Sequence, residues 1–327
     1  MDTVTTVLGE VNADSLGRVL PHEHIASVYG RWGKQIDHPE PAWEETVFEH
    51  YLPMFVELRE CFGCQTIVEC SPSYAFRQVR DLEVWAELSR QSGVNIVVST
   101  GFYIPGYRPA DFSDRSISQL ADGMIHEAMV GMEDTGVRAG IIKVALGDFG
   151  SDDRKLLKAA AVTQRETGLT ITTHVCSPEI RRGTLDLLEG AGVSPERITL
   201  GHADDNATLP ELLALVQRGC NVLLTIWGIQ NMQRIGWRLP ALPKFHSPGL
   251  VAGLVAEGLV DQVMVSIDYS GGFEEGEFVQ DLYDVPGRTH LYLFTHVLHT
   301  LAKMGVPEEA VERILCDNPR RMLVAGS

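Results

Sequence analysis

The stretch GRVLPHEHI, residues Gly17 to Ile25, determines how the rest of the chain is interpreted. An apolar run of the kind found in buried strands ends at Pro21, and His22 and His24 follow with one residue between them. In an extended chain, residues i and i+2 point to the same side, so both imidazoles face one volume. This spacing suits one metal ion, although an isolated His-x-His pair is more often a surface or hydrogen-bonded pair.

Seven more strand-like runs follow, and each of the eight is followed by a helix-like segment. The later runs span residues 66–70, 95–100, 140–146, 169–175, 197–205, 221–227 and 262–270. Short, continuously apolar strands that alternate with amphipathic helices indicate a parallel sheet covered by helices. Because no composition break or linker interrupts the series, we predict a single α/β domain over residues 1–327, a (β/α)8 barrel. A doubly wound open sheet is the alternative.

Helix-like apolar spacing fills the intervals between these runs. The predicted helices span residues 43–61, 79–91, 116–134, 153–166, 179–189, 209–218, 250–257, 289–303 and 307–316. Ser151 and Asp152 are the predicted capping residues of the fourth helix.

Composition excludes several classes of function. Apolar residues make up 44% of the chain, which supports a large core, and charged residues make up 22%. The net charge of −17 opposes nonspecific binding to nucleic acid or to an anionic membrane. No window reaches the about 18 apolar residues of a membrane helix, and an acidic N-terminus replaces the basic start of a signal peptide. We therefore expect a cytoplasmic protein that binds a small molecule.

Five of the eight runs end with, or contain, a side chain that can bind a metal ion. Beside the histidine pair these are Lys143, His174, His202 and Asp268. Each has an ordinary alternative, such as a hydrogen-bonded histidine, a helix-capping aspartate or an ion-paired lysine. Barrel enzymes place their catalytic groups at the carboxyl ends of strands, and only a closed barrel brings these five ends together. We predict that all six side chains meet at one mouth.

Lys143 is unusual because it lies within an otherwise apolar strand. An unpaired buried ammonium is costly, and desolvation favours the neutral amine. A neutral amine reacts with carbon dioxide to give a carbamate, which has one negative charge and two oxygens. We predict that Lys143 is carboxylated and bridges two metal ions, whose charge the carbamate, Asp268 and a hydroxide largely neutralise.

Histidine and carboxylate ligands without a thiolate favour Zn²⁺, with Mn²⁺, Co²⁺ or Fe²⁺ as alternatives. Two such ions lower the pKa of a bridging water towards about 7 and produce hydroxide at neutral pH. The hydroxide is the predicted nucleophile, and one metal ion polarises the carbonyl or phosphoryl oxygen of the substrate. Asp268 is the predicted proton acceptor. Together with Lys143, the predicted bridge between the metal ions, it makes up the predicted catalytic residues.

The ordered segments LPHEHI, IIKV, TTHV, LGHADD, SIDYS and DNPRRML resemble the phosphotriesterase family of the amidohydrolase superfamily, over residues 4–324. The resemblance implies that the more buried metal ion is held by His22, His24 and Asp268. It implies that the more exposed one is held by His174 and His202, with a carboxylated Lys143 between the two ions. It also suggests a homodimer.

Substrate contacts are expected from the loops at the barrel mouth. The long loop 226–247 carries Trp227, Arg234 and Arg238. We predict substrate contacts from Trp227 and from Arg234 or Arg238, although a surface position is the commoner role for an arginine. The resemblance places Tyr103 beside the metal pair, as in lactonase-like members, and a rim aromatic that packs on the barrel is its alternative.

These features predict a binuclear metal-dependent hydrolase that acts on a lactone or related carboxylic ester, with promiscuous activity on phosphotriesters. An organophosphate triesterase and an amide hydrolase are alternatives, because the same metal pair suits their reactions. A protein that binds metal or ligand without turnover is the alternative from another class. The intact set of candidate ligands, with Asp268 as proton acceptor, argues against it.

Overall fold

The structure is a computed structural model that describes residues 2–25, 42–72, 79–175, 177–228, 246–274, 277–281 and 285–326. The chain starts with an antiparallel hairpin of β1 (Thr3–Thr6) and β2 (Gly9–Asn12). The Val7 amide donates to the Ile96 carbonyl at 2.9 Å, which attaches the hairpin to the barrel. Apolar periodicity did not predict this hairpin, because its four-residue strands show no sustained alternation.

Eight parallel strands then form one sheet in chain order. They are β3 (Arg18–Glu23), β4 (Cys64–Glu69), β5 (Asn95–Phe102), β6 (Ile141–Ala145), β7 (Ile171–His174), β8 (Ile198–Gly201), β9 (Asn221–Leu224) and β10 (Val263–Val265). The edge strands β10 and β3 approach each other, since the Asp268 amide donates to the His22 carbonyl at 3.2 Å. The sheet is therefore a nearly closed barrel, and the predicted (β/α)8 fold is confirmed.

Helices cover the outside of the barrel. They are α1 (Ala42–Phe62), α2 (Val79–Ser92), α3 (Ile117–Met129), α4 (Ser151–Thr167), α5 (Pro178–Gly190), α6 (Leu209–Val216), α7 (His246–Ala256), α8 (Leu298–Lys303), α9 (Glu308–Glu312) and α10 (Asn318–Leu323). Ser116 and Gln119 form a capping box at the start of α3. The predicted caps of the fourth helix are wrong, because α4 already begins at Ser151 with Gly150 as its N-cap. None of the helices in these ranges is long and apolar enough to cross a membrane.

Two apolar clusters reflect the alternation of side chains along the strands. The larger cluster lies between the sheet and the helices and includes Leu20, Ile67 and Ile142. The smaller one fills the barrel interior with Val19, Val68, Val97, Ile141, Leu223 and Met264. Val4, Leu16, Met322 and Leu323 join the smaller cluster, so the N-terminal hairpin region and α10 close the end opposite the carboxyl ends of the strands.

The last five barrel strands, β6 to β10, are shorter than predicted. The amides of Thr225 and Ile226 leave the sheet after β9 and donate to the Asp204 carboxylate, both at 2.9 Å. Side-chain acceptors thus replace strand partners near the mouth. Beyond β10, part of the following segment forms a small antiparallel hairpin of β11 (Gly272–Glu274) and β12 (Glu277–Val279).

Candidate metal centre

Five barrel strands bring the six predicted side chains to one end of the barrel. In chain order they are His22 (β3), His24 (after β3), Lys143 (β6), His174 (β7), His202 (after β8) and Asp268 (after β10). Because the strands are parallel, their carboxyl ends share one edge. His22 and Lys143 have no exposed surface, and Asp268 is 8% exposed. The cluster is therefore enclosed by the barrel and opens only slightly to solvent.

The Asp268 carboxylate contacts three of the histidines. Its Oδ1 lies 3.3 Å from Nε2 of His24 and 3.5 Å from Nε2 of His22, and its Oδ2 lies 3.9 Å from Nδ1 of His202. One ligand atom from each of His22, His202 and Asp268 lies within 4.8 Å of the other two. This spacing allows the three side chains to share one cation.

Lys143 and His174 complete the group. Nζ of Lys143, on β6, lies 2.9 Å from Nε2 of His22, on β3, so the amine reaches the histidine cluster across the barrel. The His174 ring packs edge to face on His202, with ring centroids 4.2 Å apart. The structure therefore brings all six predicted side chains together.

The histidine rings are oriented as metal ligands usually are. Nδ1 of His24 lies 2.7 Å from the Ser71 hydroxyl, and Nδ1 of His202 lies 2.7 Å from the Thr225 hydroxyl. These contacts leave both Nε2 atoms available to a ligand. Nε2 of His202 is buried and has no hydrogen-bond partner in the described part of the chain. A cation at this nitrogen fits, because an unpaired buried polar atom is costly.

The protonation states also suit a cation. Burial lowers the pKa of His22, His174 and His202, to about 4 for His202, so these imidazoles are neutral. Burial alone would raise the pKa of Asp268, but the surrounding histidines, His202, His22 and the hydrogen-bonded His24 with its raised pKa, hold it well below its ordinary value. Neutral imidazoles and an ionised carboxylate are the forms that bind metal.

His24 differs from the other three histidines. Burial opposes its charged form, yet the carboxylates of Asp268 and Glu69 raise its pKa to about 9. Without a metal ion, His24 therefore keeps a proton on Nε2, which faces the Asp268 carboxylate, while the Glu69 carboxylate lies on the Nδ1 side. A cation at Nε2 would replace that proton, so metal binding should release it.

Two of the candidate ligands have a left-handed backbone. His202 has φ of +52° and Asp268 has φ of +51°. For residues other than glycine this conformation costs about 1–3 kcal/mol and is concentrated at functional sites. The buried Arg181 supports His202, because its Nη1 donates to the carbonyls of His202 and Asp205 at 3.5 and 2.9 Å. Arg181 was not predicted from the sequence, because it lies on α5 and has no strand context.

Glu23 was also missed, although it lies between the two histidines of the HEH motif. Its side chain is fully buried on the opposite side of β3 from His22 and His24. Burial raises its pKa to about 7, against hydrogen bonds from the Ser266 hydroxyl and the amides of Ile267 and Tyr269. A carboxylate in a buried strand is the same type of signal as Lys143 and could have been found in the same way.

Tyr103 lies beside the cluster. Its ring is partly exposed and packs edge to face on His174, with centroids 5.4 Å apart. Arg108 donates to the Tyr103 carbonyl at 2.8 Å and to the Ala145 carbonyl at 3.0 Å. The loop that carries Tyr103 is thereby attached to the end of the strand that contains Lys143.

The other predicted substrate contacts have a different outcome. Trp227 is 2% exposed, and its indole nitrogen donates to the Leu224 carbonyl at 3.0 Å. Its ring is part of the core between the sheet and the helices. A substrate contact by Trp227 would need the ring to become exposed, and it stays a prediction. Arg234 and Arg238 lie outside the described residues.

A parallel eight-stranded barrel with buried histidines, a lysine and an aspartate at its carboxyl mouth defines a class of metal-dependent barrel hydrolases. The model of the phosphotriesterase family matches residues 2–323. The chain belongs to the phosphotriesterase family, and it is a hydrolase that acts on ester bonds.

Relatives with different names cover nearly the whole chain. An aryldialkylphosphatase from Saccharolobus solfataricus is 27% identical, over 95% of this chain and 96% of its own. An N-acetyltaurine hydrolase from Tetraodon nigroviridis is 24% identical, over 98% and 97%. Among solved structures, a variant of a PTE-like lactonase from Deinococcus radiodurans superposes with a TM-score of 0.83, at 27% identity over 98% of this chain and 100% of that one.

Proposed function

We propose that the six side chains hold two divalent cations, with Zn²⁺ preferred over Mn²⁺, Co²⁺ or Fe²⁺. One ion is held by His22, His24 and Asp268. His174 and His202 would hold the other, and a carboxylated Lys143 would be a ligand of both. The single observation that carries the proposal is the convergence of these side chains around Asp268, with ligand atoms of His22, His202 and Asp268 within 4.8 Å of one another.

When bound, the cations would supply a water of lowered pKa and would polarise the substrate carbonyl. We assign the proton of the attacking water to Asp268, because its carboxylate is ionised and lies against His22 and His24 within the cluster. It then passes the proton towards the leaving group. Tyr103 lies on His174 at the rim and orients the substrate over the cluster. Lys143 acts through its modified form as the bridging ligand.

The proposed substrate is a lactone or a related carboxylic ester, with weaker activity on phosphotriesters. The similarity to a PTE-like lactonase over the whole chain supports this order, as does the position of Tyr103 beside His174. Phosphotriester hydrolysis is the second candidate, because the chain is 27% identical to an aryldialkylphosphatase. Amide hydrolysis is the third, from the similarity to an N-acetyltaurine hydrolase.

The test is a parallel measurement of kcat/KM for acyl lactones, a p-nitrophenyl phosphotriester and an N-acyl amide, with one preparation of metal-loaded protein. The proposal predicts the largest value for a lactone. A kcat/KM about tenfold or more higher for another class of substrate, which equals about 1.4 kcal/mol of transition-state stabilisation, would reverse the proposed order of substrates. Absence of turnover on the whole panel would favour a protein that binds metal without catalysis.

We also propose one barrel domain over residues 1–327 and a homodimer. The family model supports a single unit, since one model matches residues 2–323. Light scattering during size-exclusion chromatography tests the dimer, which should have about twice the mass of the 36.0 kDa chain. A mass equal to that of one chain would contradict it.

A further inference from the structure

The two edge strands of the barrel meet at a seam between β3 and β10. Ladder hydrogen bonds connect each of the seven successive strand pairs from β3 to β10. At the seam, the described residues show individual main-chain bonds instead. The Asp268 amide donates to the His22 carbonyl at 3.2 Å, and the His24 amide donates to the Tyr269 carbonyl at 3.1 Å. Three of the candidate metal ligands, His22, His24 and Asp268, therefore depend on this seam for their relative positions.

The Glu23 carboxylate bridges the seam. Its Oε1 accepts a hydrogen bond from the Ser266 hydroxyl at 2.5 Å and from the Ile267 amide at 2.8 Å. Its Oε2 accepts from the Tyr269 amide at 2.8 Å. One carboxylate thus binds the two amides on either side of Asp268, while its own residue lies between His22 and His24. Charge-assisted hydrogen bonds of this length are among the stronger ones in proteins.

Arg288 holds the same segment through its carbonyl groups. It is fully buried, and its Nη2 donates to the carbonyls of Ile267 and of Asp268, the latter at 3.1 Å. Together with the bonds to His22, Glu23 and His24, every main-chain N–H and C=O from residue 267 to 269 has a partner. This complete set of bonds explains how Asp268 keeps φ at +51°.

We propose that Glu23 is a positioning residue, which sets the Asp268 carboxylate against His22 and His24 and thereby determines how tightly one of the two metal ions is bound. This inference rests on the proposed function. Glu23 does not touch the substrate or the reacting atoms. It acts through the backbone of residues 266–269. Ser266 also connects Glu23 to the candidate ligand His22, because the His22 amide donates to the Ser266 hydroxyl at 3.0 Å.

The variant Glu23→Gln tests the role. The amide keeps the size of the side chain but presents an NH2 group in place of one acceptor, so at least one hydrogen bond to residues 266–269 is lost. We expect the affinity for one of the two metal equivalents to fall about 10–100-fold, the usual effect of losing a group that orients a ligand, while the other equivalent is unchanged. The readout is competition with a chromophoric chelator, and it needs no substrate.

Glu127→Gln is the matched control. Glu127 is a partly buried carboxylate on α3 that accepts a hydrogen bond from the Thr100 hydroxyl at 2.5 Å, on the helix-facing side of β5. This variant should bind both metal equivalents with wild-type affinity. A fall of the same size in this variant would overturn the proposal, because it would show that any buried carboxylate has the effect.

A purely structural role for Glu23 predicts a different result. It would lower the melting temperature of the metal-free protein without separating the two metal equivalents. Wild-type affinity for both equivalents in Glu23→Gln therefore overturns the positioning role, even if stability falls. If the wild-type protein itself binds fewer than two equivalents, the proposed function fails, and the positioning role fails with it.

Ser266→Ala provides a second test if Glu23→Gln does not fold. It removes one of the three hydrogen bonds to the Glu23 carboxylate, together with the acceptor of the His22 amide, and leaves both amide bonds to Glu23 in place. The expected result is a smaller loss of affinity for the same single equivalent. Unchanged affinity, or an equal loss at both equivalents, would contradict the positioning role.

Discussion

Lys143 shows how much one residue can indicate. The sequence places it in an apolar strand, and the structure places its Nζ 2.9 Å from Nε2 of His22 with no exposed surface. Burying the charged ammonium of a lysine is costly, and a contact with one imidazole nitrogen does not offset that cost. The proposed carbamate would explain why a lysine is buried at this position.

Lys143→Ala should abolish hydrolysis, because it removes the proposed bridge. Adding a short-chain carboxylic acid with Zn²⁺ should restore part of the activity, since a free carboxylate can occupy the space between the cations. Lys158→Ala on α4 is the control, because Lys158 is exposed and far along the chain from the strand ends. Full activity of Lys143→Ala without the acid would refute the bridging role.

Asp268→Asn should lower kcat by about 10²–10⁴-fold, because the amide cannot accept the proton of the attacking water. The measurement is steady-state kinetics on metal-loaded protein. The control is Asp261→Asn, at the other end of β10, where the carboxylate forms an exposed ion pair with Arg313. A variant at position 268 with the wild-type kcat would show that the proton goes elsewhere.

Residue patterns predicted the candidate ligands but not the side chains that support them. The ends of the strands can be recognised in the sequence, so His174 and His202 were predictable from apolar runs alone. The hydrogen-bond partners of Glu23 lie 243 to 246 residues away in the sequence, and they meet Glu23 only because the barrel closes. Arg288 was also missed, because apart from Asp281 its partners are main-chain carbonyls, those of residues 227, 267 and 268, and a sequence pattern does not show which carbonyls a side chain reaches.

At the scale of elements, glycine allows β5 and β6 to approach each other beside the metal cluster. Gly101 pairs with Lys143 in the sheet and has φ of +127°. A Cβ atom at residue 101 would lie 1.8 Å from the Lys143 carbonyl oxygen, which is main chain and cannot move independently. The position therefore requires glycine.

Gly101→Ala should destabilise the protein by more than about 2 kcal/mol, because both the clash and the positive φ oppose alanine. Gly123→Ala is the control, since nothing lies within 4 Å of its Cβ position on α3 and alanine favours the helix. It should be neutral or stabilising by up to about 1 kcal/mol. Urea unfolding measures both, and a Gly101→Ala variant as stable as the wild type would contradict the packing argument.

Secondary structure was predictable where apolar periodicity is strong. All eight barrel strands were predicted, whereas the hairpins β1–β2 and β11–β12 were missed because their strands are short and partly polar. The final helix was predicted to end at Cys316, but α10 continues to Leu323 past Pro319. A π-helical turn over Arg313–Asp317 precedes this proline, and periodicity of 3.6 residues cannot reveal such a turn.

At the scale of the whole molecule, metal binding and stability should be linked. The six candidate ligands lie on or directly after strands from β3 to β10, so cations held by them would connect elements across most of the barrel. Ligands that bind only the folded state raise its stability. Removing metal with a chelator should therefore lower the melting temperature, and Zn²⁺ should restore it. Equal melting temperatures with and without metal would contradict a centre that joins these strands.

The most direct test of the two-metal centre is the metal content of fully active protein after exhaustive dialysis. Elemental analysis should find two equivalents of transition metal per chain, and activity should rise in proportion to metal content as apo-protein is reconstituted. Full activity with one equivalent or none would contradict the convergence of His22, His24, Lys143, His174, His202 and Asp268 on a pair of cations.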